Sequence, residues 1–162
     1  MNKKYRFTGK EIEHFGRKLK QIERIVDGLL GGYIESENNL DHSGDAWVYG
    51  DARVYGNARV YDNAWVSGNA RVYGDAWVYG DARVYGNAKI KTNKDYINII
   101  IHPYNITITK TYIQIGCESK TYDNWMKVTK RQAISLGLGK DYFTVYKSVI
   151  SALYEQYFGG KK

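Results

Sequence analysis

His14, His42, His102 and Cys117 are the side chains of this sequence that could serve as a general base, a zinc ligand or a nucleophile at neutral pH. A zinc centre needs several ligands that converge. These three histidines are scattered over the whole chain with no ligand spacing. Cys117, in Ile115-Gly116-Cys117-Glu118, has no base near it in sequence to form a thiolate. It is expected as a small buried filler at a strand end. No glycine-rich loop cradles a phosphate, because the glycines recur for another reason. The residues therefore predict no catalytic site, no metal and no cofactor.

The richer chemistry is that of recognition. Trp, Arg and Tyr crowd residues 44–91, which read GDAWVY, GDARVY, GNARVY, DNAWVS, GNARVY, GDAWVY, GDARVY and GNAKIK. Ala recurs every six residues from Ala46 to Ala88, and Val or Ile recurs two places later, from Val48 to Ile90. Residues two apart on a strand share a face, so Ala and Val line a narrow apolar core. The residue between them (Trp, Arg or Lys) points outward, as does the Tyr that follows. Gly with Asp or Asn supplies a corner, where left-handed backbone and local side-chain hydrogen bonds are needed. Asp62 alone takes the place of that Gly. One strand and one turn in six residues make a wall, and three walls close a coil.

This pattern resembles the hexapeptide-repeat family, whose signature places an aliphatic residue first and a small one fifth. Val48-Tyr49-Gly50-Asp51-Ala52-Arg53 fits it, as do the six frames that follow. The resemblance implies a mainly β fold, a left-handed parallel β-helix of about three coils with eighteen residues per coil. Many such proteins are acyltransferases that use a His as general base beside a groove between subunits. Here no His lies in a regular repeat and no loop extrudes from the coils, so that activity is expected only as a divergent alternative. The wider arrangement, YRFTG…FGRKLKQI, LGGYIESENNL, then ITIT…YIQIGCESKTYDNW, is similar to hexapeptide-repeat proteins of bacteriophages and prophages. It implies a phage context and brings no assigned chemistry.

Eighteen-residue coils stack the outward residues in rows. One wall carries Trp47, Trp65 and Arg83 beside Tyr49, Ser67 and Tyr85. The second carries Arg53, Arg71 and Lys89 beside Tyr55, Tyr73 and Lys91. The third carries Arg59 and Trp77 beside Tyr61 and Tyr79. Such rows either stabilise the stack through ring ladders and cation–π contacts or form an interface, where these residue types concentrate. Trp47, Arg53, Tyr55, Arg59, Trp65, Arg71, Tyr73, Trp77 and Arg83 are thus the candidate binding residues. Burial in an oligomer or under the chain's own termini is expected first, and a foreign partner second.

The flanks should complete the fold, because open coil ends need caps. Three segments follow: an N-terminal cap and lead-in (1–43), the repeats (44–91) and a small α+β segment (92–162) ending in a helix. Leu40, six before Ala46, reads as a degenerate rung. Upstream, the spacing of Phe15, Leu19, Ile22, Val26 and Leu29 suits an amphipathic helix, with Thr8 and Glu11 as its capping box. Gly16 interrupts that helix, and a hairpin over Tyr5 to Phe15 is the equal alternative. Downstream, 96–101, 105–110 and 112–116 alternate like strands around a turn at Pro103. Thr121 and Thr129 are N-cap candidates for short helices. Asp141 opens a final helix with one broad apolar face that includes Tyr142, Val145, Tyr146, Val149, Ile150, Leu153, Tyr154, Tyr157 and Phe158, and Gly159-Gly160 ends it.

The net charge of +7 is uneven, at +1, +1 and +5 over the three segments. The basic C-terminal part is most simply a solvated surface, with nucleic acid, nucleotides or an acidic protein face as partners it would attract. A lone cysteine, a polar N-terminus and no long apolar run predict a soluble protein of a reducing cytoplasm, the host's if the chain is phage-encoded. The expected function is non-catalytic binding, a phage-type protein blocking a host component. The alternatives are capture of a small anionic ligand such as a nucleotide signal, a divergent acyltransferase, and a structural phage component. A homotrimer is expected, with a dimer through the final helix as the second choice.

Overall fold

The computed structural model describes residues 3–139 and 143–159. The chain forms two compact units, Met1–Asp95 and Tyr96–Lys162.

The first unit opens with a β-hairpin, β1 (Tyr5–His14) and β2 (Arg17–Arg24). The helix alternative is incorrect, and the hairpin is longer than expected, since Tyr5 to Phe15 covers only its first strand and the first turn residue. Phe15 and Gly16 both have positive φ, 50° and 72°, and His14 pairs with Arg17 across them. That is a two-residue turn of the type that joins twisted strands. Thr8 caps no helix; its Oγ1 accepts a hydrogen bond from Lys10 N where β1 bulges.

β2 pairs antiparallel with β3 (Leu30–Ile34), and β3 pairs parallel with the coils. The coil strands are β4 (Trp47–Val48), β5 (Arg53–Val54), β6 (Arg59–Val60), β7 (Trp65–Val66), β8 (Arg71–Val72), β9 (Trp77–Val78), β10 (Arg83–Val84) and β11 (Lys89–Ile90). They stack as three parallel walls: β4-β7-β10, then β3-β5-β8-β11, then β6-β9 with Leu40 bridged to Val60. The result is a parallel β-solenoid of about three turns. Every coil pairing keeps the eighteen-residue register: Trp47 faces Trp65, Arg53 faces Arg71, and Arg59 faces Trp77. Ala and Val or Ile of each repeat fill the interior, essentially without exposure.

The corners hold by side-chain ladders. Asn57 donates to Asp75 at 3.0 Å and Asn63 to Asp81 at 3.1 Å, so acidic residues are separated by amides along the stack. Asp62 replaces the corner glycine at φ 58°, a conformation Asp tolerates better than most residues. Its carboxylate accepts from Gly80 N at 3.1 Å.

Leu40 is a rung, but in the valine slot and not the alanine slot that its spacing implies. Ile34 pairs with Val54 and Leu40 with Val60. The first coil thus carries two extra residues before Ala46. The hairpin closes the N-terminal end of the stack, with Tyr5, Leu19 and Ile22 buried.

The second unit is a four-stranded antiparallel sheet in the order β12 (Tyr96–Ile101), β13 (Tyr104–Thr109), β14 (Ile113–Ile115) and β15 (Glu118–Lys120). The last strand was not evident in the sequence. Cys117 lies exposed in the turn before it, not buried at a strand end. The residue follows Gly116, whose positive φ makes a tight β14–β15 reversal that turns the thiol outward. Thr121 and Thr129 cap α1 (Tyr122–Lys127) and α2 (Lys130–Ser135) as expected.

α3 (Phe143–Tyr157) packs Tyr146 and Ile150 onto Ile106, Ile108, Ile113 and Ile115 of the sheet. Its apolar face is narrower than the spacing implies, since Val145 and Tyr157 are exposed. Asp141, Tyr142 and Gly160 lie outside the described residues. Among the described residues no helix is long and apolar enough to cross a membrane.

Candidate binding surfaces on the solenoid walls

The three walls differ in what covers them. On the first, Trp47 points outward yet is only 2% exposed. The hairpin covers it: the Arg24 guanidinium lies 5.7 Å from its ring centre and Tyr5 meets it edge-on. Its indole N–H is buried with no acceptor among the described residues. One coil further, Trp65 is 43% exposed, with the Arg83 guanidinium 5.9 Å from its ring. A groove of about 1050 Å³ runs along this wall, lined by Lys3, Lys4, Arg24, Trp47, Trp65 and Arg83 among others. Lys4 is bound at its rim, donating to the carbonyls of Ser43, Gly44 and Ala46, and burial lowers its pKa.

On the second wall the hairpin tip lies over the outward row. Leu19 packs with Tyr33 and Tyr55, and Tyr55 stacks on Tyr73 at 5.3 Å. Tyr55 is therefore buried and does not belong to an open surface. His14 meets Tyr55 edge-on, and its Nδ1 lies 3.3 Å from Arg53 Nη1. Burial, then the charges of Arg53 and Arg71, hold the His14 imidazole below its ordinary pKa. Guanidinium nitrogens only donate, so His14 Nδ1 accepts and the ring is neutral. Arg53, Arg71 and Tyr73 are half-buried.

The third wall is open. Arg59 is exposed and Trp77 is 46% exposed. Tyr61 stacks on Tyr79 at 5.3 Å and meets Trp77 edge-on.

The candidate residues thus fall into two sets. Arg59, Trp65, Trp77 and Arg83 face solvent on the first and third walls, with Tyr49, Tyr79 and Tyr85 about half exposed beside them. Trp47 and Tyr55 are covered, and Arg53, Arg71 and Tyr73 border the hairpin. The six-residue spacing gives the direction of each side chain, but it carries no sign that residues 5–24 fold back over two walls.

The coils are similar to the YdcK Beta solenoid repeat. Two stretches match that family model, residues 52–68 and 64–80. Both lie within the regular coils and carry Arg53, Arg59, Trp65, Arg71 and Trp77, so the similarity extends neither to the hairpin nor to the second unit. No curated protein matches the chain.

The other two histidines also have local partners or positions. His42 stacks on Tyr5 at 4.3 Å, and its Nδ1 accepts from Lys4 N at 3.2 Å. His102 is exposed where β12 turns into β13. Among the described residues no group of His, Cys, Asp and Glu could hold a metal ion.

Proposed function

We propose that this chain is a non-catalytic binding protein on a left-handed β-helix of the hexapeptide-repeat type. In this reading it is phage-type, works in the host cytoplasm and covers a host component. The observation that carries it is the half-exposed Trp65 and Trp77, with Tyr49, Tyr79 and Tyr85 around them, on coils whose interior is already filled. Monomers seldom leave large apolar surface open, and Trp, Tyr and Arg are the side chains that dominate interface energetics. His14 and His42 are engaged in holding the hairpin to the coils, which favours binding over acyl transfer.

The protein assembles through these rows as a homotrimer, since cyclic closure covers identical walls without open-ended growth, and the trimer is the form that covers the host component, so a variant that loses the rows loses both. A dimer through α3 is the weaker form, because that helix spends its apolar face on its own sheet. Affinity capture from a host lysate tests the binding role. The wild type is expected to retain a specific protein that a folded Trp65→Ala, Trp77→Ala variant loses. Equal retention by both, or turnover of acetyl-CoA that vanishes in His42→Ala or His102→Ala, would overturn the reading.

A further inference from the structure

The second wall carries charges that packing does not require. Arg53, Arg71 and Lys89 are register partners on adjacent parallel strands, so three cations stand in one column at the strand spacing of roughly 4.8 Å. Like charges directly opposite destabilise a sheet. The same slots on the first wall hold Trp47, Trp65 and Arg83, so the fold itself does not demand cations there. Among the described residues no carboxylate pairs with Arg53, Arg71 or Lys89; the nearby Glu35 is bound to Arg17 at 2.9 Å.

The hairpin tip closes one side of this column and leaves donors unused. His14 is 9% exposed. With Nδ1 accepting from Arg53, its proton sits on Nε2, which is buried and has no acceptor among the described residues; Arg53 Nε is in the same condition. Buried donors normally find an oxygen. Phe15 adds a second anomaly. It occupies a left-handed turn position where Asn, Asp or Gly is preferred, yet it is 78% exposed, with the Arg71 guanidinium 5.9 Å from its ring. The ring rests on His14 at 4.4 Å between centres and turns its other side to solvent, an arrangement that the turn geometry does not call for.

We propose that Arg53, Arg71 and the His14–Phe15 tip form a site for a phosphate monoester carrying a flat ring. The guanidinium groups take the oxyanion, a geometry Arg suits better than Lys. The ring lies on Phe15, and Lys89 extends the positive field. This site lies within one chain and is separate from the open first and third walls, so it stands or falls independently of the interface reading.

Isothermal titration of the full chain with phenyl phosphate, inorganic phosphate and phenol tests it. Phenyl phosphate is expected to bind about tenfold more tightly than inorganic phosphate, and phenol not at all. Arg71→Gln should weaken both phosphates by at least about tenfold, and Lys89→Gln, at an exposed position, should weaken them several-fold. Phe15→Asn should keep inorganic phosphate binding and erase the preference for the phenyl ester, with an unchanged or higher melting temperature, because Asn suits the turn. No binding of either phosphate at millimolar concentration would overturn the proposal. So would equal binding by the parent and both charge variants, the mark of a nonspecific salt effect.

Discussion

Val72→Asp abolishes the cooperative thermal transition of the first unit. Val72 is 0% exposed, between Val54 on one side and Ile90 on the other along the second wall, with Ala70 beside it. No polar group of the interior faces it, since the inward slots from Ala46 to Ile90 are all Ala, Val or Ile. An ionised carboxylate there keeps no partner, and the cost after relaxation is still several kcal/mol. Small domains have only about 5–15 kcal/mol of stability in total. The loss spreads, because each coil is held only by its neighbours. Circular dichroism during heating checks this. A variant that melts like its parent would show that the inward register is wrong.

Gly32→Val is the second large effect, and its origin is steric. A Cβ at Gly32 would lie 2.6 Å from the Ala52 carbonyl oxygen and 2.8 Å from Val48 Cγ1. At the adjacent Gly31 it would meet Ile22 Cγ1 at 2.5 Å and the Val48 oxygen at 2.8 Å. Neither glycine is needed for a left-handed dihedral. They are needed so that β3 can lie against the first coil while the hairpin lies against β3. Valine must push that strand away and break the Tyr33 N to Ala52 O hydrogen bond of 2.9 Å. The expected loss is about 2–4 kcal/mol, enough to release the hairpin from Trp47 and Tyr55. Tryptophan fluorescence should then report Trp47 as newly quenchable by iodide. A melting temperature within two or three degrees of the parent, roughly 0.5 kcal/mol, would refute the close-packing argument.

These two effects show what the sequence could and could not reveal. The rungs were legible because the six-residue period states both the inward face and the eighteen-residue stacking, and Trp47, Arg53 and Arg59 pair with the partners that arithmetic names. The caps of α1 and α2 were legible because Thr capping is local chemistry. The hairpin was not, because Leu19 and Ile22 satisfy a helical spacing as well as a strand one, and the deciding feature is the Phe15-Gly16 turn. The burial of Trp47 and Tyr55 was not legible for another reason. It depends on contacts from Tyr5, His14, Leu19 and Arg24, residues remote in sequence and outside any repeat. The closeness of Gly31 and Gly32 to the first coil is likewise a tertiary fact, written in sequence only as two adjacent glycines.

What remains exposed after the hairpin has taken its share is the surface on which the functional reading turns. Trp65 and Trp77 stand on two walls, each with Tyr neighbours and a guanidinium or a ring against it. Ring and guanidinium contacts of this kind stabilise a stack by a modest amount, about 0.5–1 kcal/mol at exposed sites. Trp65 is still 43% exposed and Trp77 46%.

Light scattering at micromolar concentration, on the wild type and on a Trp65→Arg, Trp77→Arg variant, tests most directly whether the open rows are an interface. The wild type should have the mass of three chains, and the variant the mass of one, folded by circular dichroism but melting lower, since it loses the partner copies and sets an arginine opposite Arg83. A wild type that is monomeric at every concentration, or a variant that stays trimeric, would contradict the burial of these rows between copies.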